Sequence, residues 1–387
     1  MYCKRISVEN FRNIETCEVE FSPGVNILYG DNAQGKTNLI EAIFYASVCR
    51  SFRASGVGEM IRFGQKKARI SIDYRDAHRD NNIKIQLLGD NKKIAEKNHL
   101  RADRMSDIIG SFRAVLFCPE HLSLIKDGPS ERRSYLDIAI SRISQKYIRA
   151  LQRYSYFLKQ RNSLIKSAYN DRASFDATVE LWSEKLAEEA AYISKERYLY
   201  IQRTAPYVNS FLNKMTGEKE STELIYRASA SLEGDQYIDT EQIKEKYLKL
   251  FSSSHDREIS AGATLWGIHK DDIEIKLNGK NARIFASQGQ QRSLALALKL
   301  AEGEICREEF GDYPVFLFDD VLSELDDTRR DSLLLFDTNK QVIISTCEVG
   351  ALKKIKAERK IRVEDGRYIL DCDGGAEDSE NKNGRTE

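Results

Sequence analysis

The chain has 387 residues, and 60 Lys and Arg balance 60 Asp and Glu, so whole-chain charge says nothing about nucleic acid and only local clustering could. A hydrophobic content of 41% suffices for ordinary globular cores, and the length suits two lobes. No apolar run approaches the roughly 20 residues of a membrane span, and the seven cysteines (Cys3, Cys17, Cys49, Cys118, Cys306, Cys347, Cys372) show no C-x-x-C or metal-like spacing, which argues for reduced thiols.

Met1-Tyr2-Cys3-Lys4-Arg5 has neither the apolar core nor the cleavage site of a signal peptide, so a cytoplasmic protein is expected. Ile6–Glu9 alternates as a strand, and Val25–Tyr29 is a short apolar strand. A helix is expected from about Lys36 to Cys49, with Leu39, Ile40, Ile43, Phe44 and Ala46 on its apolar side. Strands follow near Ala68–Tyr74 and Ile83–Leu88. From about Pro119 the character changes. Ser144–Lys166 and Asp176–Met215 are rich in helix formers, with Leu181, Leu186, Ala190, Ile193 and Leu199 near helical spacing. After Phe251 strands return: Ile273–Leu277, the turn Asn278-Gly279 and Arg283–Phe285 suggest a hairpin. A helix over Gln288–Phe310, strands Val315–Phe318 and Gln341–Ser345, and a final pair near Lys360–Asp371 complete the order. The polar tail from Gly374 to Glu387 is expected to be disordered.

Two separated segments carry the chemistry. Gly30-Asp31-Asn32-Ala33-Gln34-Gly35-Lys36-Thr37 matches the Walker A pattern between a strand and a helix. Its backbone N–H groups and the helix N-terminus would face phosphates, Lys36 would reach the β- and γ-phosphates, and Thr37 would offer a hydroxyl to Mg²⁺. Val315–Phe318 ends in Asp319-Asp320, which suits Mg²⁺ at the first acid and an attacking water at the second. Two adjacent acids could also cap a surface turn; beside a full Walker A that reading recedes. Ser287-Gln288-Gly289-Gln290-Gln291 opens a helix and forms an anion-binding surface. An ordinary N-cap serine would look similar. Such a surface is useful if it meets a γ-phosphate held by a second subunit. Ser323-Glu324-Leu325-Asp326 stands where a dimer-facing D-loop would sit. Thr346-Cys347-Glu348 stands where ABC proteins usually place a switch histidine, so slow hydrolysis is expected.

Together these segments resemble the RecF family of bacterial recombination-repair ATPases, related to SMC heads. The resemblance covers nearly the whole chain. It includes Asn10-Phe11-Arg12-Asn13, the loop through Asn38, Phe117–Leu122 and Gly128–Asp137. It ends with Ser287–Ser293 and Asp319–Asp326. It implies an α/β, ABC/SMC-type ATPase head lobe with an inserted, mainly helical second lobe. The expected division is 1–115 (Walker A half), 116–254 (helical lobe), 255–371 (signature, Walker B and D-loop) and 372–387 (tail). It further implies cofactors ATP and Mg²⁺, and an ATP-dependent homodimer with weak, DNA-stimulated hydrolysis. It also implies binding to single-strand/double-strand gaps or junctions without sequence specificity. RecR and RecO are the implied partners, in RecA loading, recombinational repair, replication restart and the SOS response. By resemblance Arg12 and Asn13 belong near the nucleotide. No glutamine-loop residue can be placed, and Glu120 is one option for that position.

DNA contacts are expected at Arg142, Lys146, Arg149 and Arg153, whose spacing gives one basic helix face, with Tyr147, Tyr154, Tyr156 and Phe157 interleaved. A solvated helix face with core aromatics would look the same. Arg62, Lys66, Lys67 and Arg69 form a second basic stretch. A long-armed SMC head would need sustained heptads between the ATP motifs, and none are present. A transporter ATPase subunit would leave the basic insertion without a place. A small-molecule kinase would leave Ser287–Gln291 and Ser323–Asp326 without a purpose.

Overall fold

The computed structural model describes residues 1–321, 340–347 and 356–371. The chain opens with strands β1 (Tyr2–Phe11), β2 (Ile14–Glu20) and β3 (Val25–Tyr29), then helix α1 (Lys36–Val48). Strands β4 (Lys67–Arg75), β5 (Asp80–Leu88), β6 (Lys93–Lys97), β7 (Leu100–Arg101) and β8 (Ala114–Phe117) follow. Helices α2 (Ser123–Lys126), α3 (Pro129–Ile143), α4 (Gln145–Ser167) and α5 (Arg172–Thr216) come next. Then come β9 (Thr222–Arg227), α6 (Thr240–Ser252), α7 (His255–Ala261), β10 (Asp272–Leu277), β11 (Lys280–Asn281), α8 (Ala282–Phe285) and α9 (Gln288–Phe310). Strands β12 (Val315–Asp319), β13 (Val342–Thr346), β14 (Arg359–Glu364) and β15 (Arg367–Leu370) complete the described elements.

A six-stranded, mostly parallel sheet, ordered β15-β14-β3-β13-β12-β8, divides the molecule. Its strands β3, β8, β12 and β13 are largely buried on both faces, as a covered parallel sheet requires. Because side chains alternate, Ile27, Phe117, Phe316, Phe318, Val342 and Ile344 join the core shared with α3, α5 and α9. Their neighbours Leu28, Leu116, Leu317 and Ile343 join a second core with α1 and the antiparallel sheet β2-β1-β4-β5-β6-β7. Helix α1 buries 11 of its 13 residues, so it is enclosed nearly all round.

The sequence anticipated the long helices and the strands of the sheet centre, but not β2, β6, β7, β8, β9, α3 or α6, nor the pairing of β8 with β12. Two expectations need correction. Arg283–Phe285 is a helical turn, not a strand. The Asn281 side chain accepts the Arg283 N–H at 3.0 Å and caps it, so the hairpin ends two residues after Gly279. The second correction concerns the boundary expected at residue 254. Strand β10 pairs with β9 along Asp272–Leu277, so one small sheet joins chain from both sides of it. Leu181 does not join the helical core and is largely exposed.

Candidate functional site

Strands β3, β13 and β12 are neighbours, and their carboxyl ends bring the sequence motifs together, the usual place for a ligand in an open α/β sheet. From β3 the chain turns through Gly30, at φ 145°, where a Cβ would lie 2.3 Å from the Val363 carbonyl oxygen. Only glycine fits there. The turn delivers residues 31–35 to the N-terminus of α1, which has no side-chain cap and no acid in its first turn. Its N–H groups are therefore left for an anion.

The Lys36 ammonium lies across the loop, donating to the Gly30 and Asp31 carbonyls at 2.7 Å each. Asn32 and Ala33 form the exposed crown, with Ala33 at φ 65°. The hairpin β14–β15 braces the loop from outside. Gly366 N–H donates to the Gln34 carbonyl, Asp365 N–H to the Gln34 side chain, and the Tyr368 hydroxyl to the Gly35 carbonyl at 3.0 Å. Asn13 donates to the Ala33 carbonyl at 3.4 Å and accepts from Asn38 at 2.6 Å.

The Thr37 hydroxyl donates to Asp319 Oδ1 at 3.0 Å, so the Walker A helix and the Walker B strand meet at one hydroxyl–carboxylate pair. Ser345 donates to the same oxygen at 2.6 Å and accepts the Asp320 N–H at 3.0 Å. Burial raises the Asp319 carboxyl above the usual range; Ser345 and Thr37 pull it part-way back, and the charges of Glu120 and Asp320 add to the rise. Asp320 adopts φ 50°, and the Cys347 thiol donates to its Oδ1 at 3.7 Å. The site fits Mg²⁺·ATP in its donor set. Hard oxygens stand beside a cation and free N–H groups, and Mg²⁺ takes few protein ligands in nucleotide sites.

Ser287 caps α9 through a reciprocal pair. Its hydroxyl accepts the Gln290 N–H at 3.3 Å, and the Gln290 side chain accepts the Ser287 N–H at 2.8 Å. Gln290 also donates to Glu220, and Gln291 to the Ala286 carbonyl. Ser287 and Gln288 are exposed and Gly289 is half-buried. Ile284 and Phe285, just before them, are exposed apolar residues. Ser323 and Asp326 lie outside the described residues, as do Glu348 and the tail.

Two expectations for basic residues change. Arg142 is 1% exposed and its guanidinium sits on Glu302 at 2.5 Å, so it belongs to the core and is not on the basic face with Lys146, Arg149 and Arg153. Arg12 grips buried Glu41 with two N–H groups, at 2.9 and 2.7 Å, and the Glu59 carbonyl with a third. It braces α1, and Ser51 adds a bond to the same carboxylate. Sequence reasoning missed Ser345 and Tyr368. A serine inside the buried run Val342–Thr346 was the available signal for the first. Nothing local marked the second, because its contact comes from a distant hairpin. Two roomy concavities of about 890 and 760 Å³ lie on the antiparallel sheet and include none of residues 30–37, so size alone does not find the site.

The comparisons agree with this geometry. Residues 2–368 match the family model described as the RecF/RecN/SMC N terminal domain. The chain is 37% identical over 358 residues to the DNA replication and repair protein RecF of Alkaliphilus oremlandii, covering 92% of this chain and 96% of that protein. It is 36% identical to the same-named protein of Bacillus pumilus, covering 95% and 100%. A solved structure of the recombination mediator protein RecF-ATP in the RecFOR pathway superposes with a TM-score of 0.90 at 35% identity, covering 96% of this chain and 98% of that one. The Smc head domain of Pyrococcus furiosus, at 18% identity and a TM-score of 0.54, shares the fold. A chain with this sheet, this loop and this breadth of likeness belongs to the RecF family, within the RecF/RecN/SMC group of ATPases.

Proposed function

We propose that the chain is an ATP-switched DNA clamp. ATP binds one head through the N–H groups of residues 30–38 and Lys36, and the closed state forms when Ser287, Gln288, Gly289 and Gln290 of a second copy meet the γ-phosphate. Thr37 and Asp319 are the residues that would hold Mg²⁺, which would neutralise phosphate charge. Asp320 orients or deprotonates the attacking water. Ser323 and Asp326 complete the trans face. Arg12 acts as a positioning residue through Glu41, and Asn13 steadies the loop crown. The observation that carries the reading is the Thr37–Asp319 hydrogen bond, which joins the two Walker motifs at one point. The exposed Ser287 cap, whose side-chain bonds run to Gln290, supports a trans role.

By its family, the dimer acts in the cytoplasm on gapped or junction DNA with RecO and RecR, promoting RecA loading in recombinational repair, replication restart and the SOS response. Lys146, Arg149 and Arg153, all exposed, supply the sequence-independent phosphate contacts. Hydrolysis is weak and DNA-stimulated, because Cys347 stands where a histidine would help; a turnover in the tens per second would contradict this.

The test is solution mass of the Asp320→Asn protein, with and without ATP·Mg²⁺ and a gapped duplex. A monomer that becomes a dimer only with ATP, and then binds the duplex more tightly, is the expected result. A chain that stays monomeric throughout rejects the clamp.

A further inference from the structure

Helix α4 carries six basic residues and no acid between Gln145 and Ser167. One of the six, Arg161, is buried on Glu258, Thr264 and Ser183 and serves the core. The other five, Lys146, Arg149, Arg153, Lys159 and Lys166, are exposed. Arg153 shares its charge with Glu189 of α5. Two further α5 acids turn away from this face: Glu184 reaches Lys244 and Glu180 reaches His255. Exposed Glu188 remains on the α5 side, as does half-buried Glu196, whose charge acts on Lys146.

A group of rings stands in the middle of this row. Tyr156 lies three residues after Arg153 and three before Lys159, so it shares their side of the helix. It is 54% exposed, too open for a core residue. Its ring is edge-on to Phe157 at 5.6 Å and to Trp182 of α5 at 6.3 Å, which fixes its plane. Lys146 to Lys159 spans about 20 Å of helix at 1.5 Å per residue.

Resting on the DNA reading of α4, we propose that this face takes single-stranded DNA, with bases stacking on the Tyr156 ring, which meets Trp182 edge-on, and phosphates on the flanking lysines and arginines. Duplex DNA offers phosphates to the same cations, but its bases are already stacked and cannot use the ring. An unpaired strand uses both, and stacking on an aromatic tolerates any sequence. The face would thereby hold the single-stranded side of a gap.

Fluorescence anisotropy of the full chain with ATP·Mg²⁺ tests this, using oligo-dT and a blunt duplex of equal length. Tyr156→Ala should weaken oligo-dT binding about five- to a hundred-fold, leave duplex binding unchanged and be rescued by Tyr156→Phe. Equal losses on both probes would overturn the strand preference. No loss on either would make the aromatic group a protein-docking or structural feature and overturn the inference. The Lys146→Glu/Arg149→Glu double variant separates the two levels. If it binds both probes normally, the DNA reading of α4 fails, and this inference with it. If it loses both while Tyr156→Ala loses neither, only the single-strand inference falls.

Discussion

Lys36, Thr37, Asp319 and Asp320 are held by short hydrogen bonds at the sheet edge, whereas Arg142 shows how a residue of the right type can stand in the wrong place. Its spacing matched the basic face, yet its guanidinium is buried against Glu302, with Lys299 2.5 Å from the other carboxylate oxygen. Arg142→Ala should therefore cost about 3 kcal/mol of stability, the low end for a broken buried pair because Lys299 still neutralises Glu302. Urea melts would show the loss, with DNA affinity of the folded variant unchanged; an unaltered midpoint would contradict the burial. His269 gives a pH signature. Burial holds its pKa down from 6.5 to about 4, and its ring nitrogens face the Tyr154 hydroxyl at 2.7 Å and the Thr264 carbonyl at 3.2 Å. The unfolded chain binds the extra proton between these values. Stability is therefore full above the unfolded pKa and falls as pH drops toward 4. Between pH 7 and pH 5 this group should cost about 2 kcal/mol, and His269→Gln should flatten that part of the profile in paired melts.

Among elements, α9 ties the signature to the sheet. Its first residue follows the Ser287 cap, and its middle approaches β12 so closely that a Cβ on Gly303 would lie 2.3 Å from the Phe316 ring. That ring is buried and stacked with Phe318, so it has little room to retreat. Gly303→Ala gains up to about 1 kcal/mol in helix propensity, but overpacking costs about 1–3 kcal/mol, and the clash wins. A lower thermal midpoint is expected; a higher one would show that α9 can slide. The helices themselves were legible, because α1, α4, α5 and α9 have long runs of helix formers with few breakers. The turn at Arg283 was not, because a two-residue strand followed by an Asn-capped helix has the same composition as a hairpin arm.

For the whole molecule, the question is whether one chain completes its own site. Ser287→Arg places a bulky cation on the exposed cap. It should abolish the ATP-dependent dimer while ATP affinity of the monomer, measured by calorimetry, is retained. Loss of ATP affinity together with dimerisation would contradict a purely trans role. The parallel sheet makes such an arrangement reasonable. It seats the phosphate loop and both acids at its carboxyl edge, while α9 on its far face carries the signature outward.

The sequence by itself determined the phosphate loop, the acid pair and the signature cap, because each is a contiguous run whose chemistry depends on local backbone geometry. It also determined the alternation of strands and long helices that marks an ATPase head with a helical lobe. Only the tertiary structure decided which arginines face solvent, that Ser345 links Asp319 to Asp320, and that Tyr368 closes the loop from a hairpin more than 330 residues away in sequence. Those outcomes depend on burial and on partners distant in the chain, and neither periodicity nor composition carries that information.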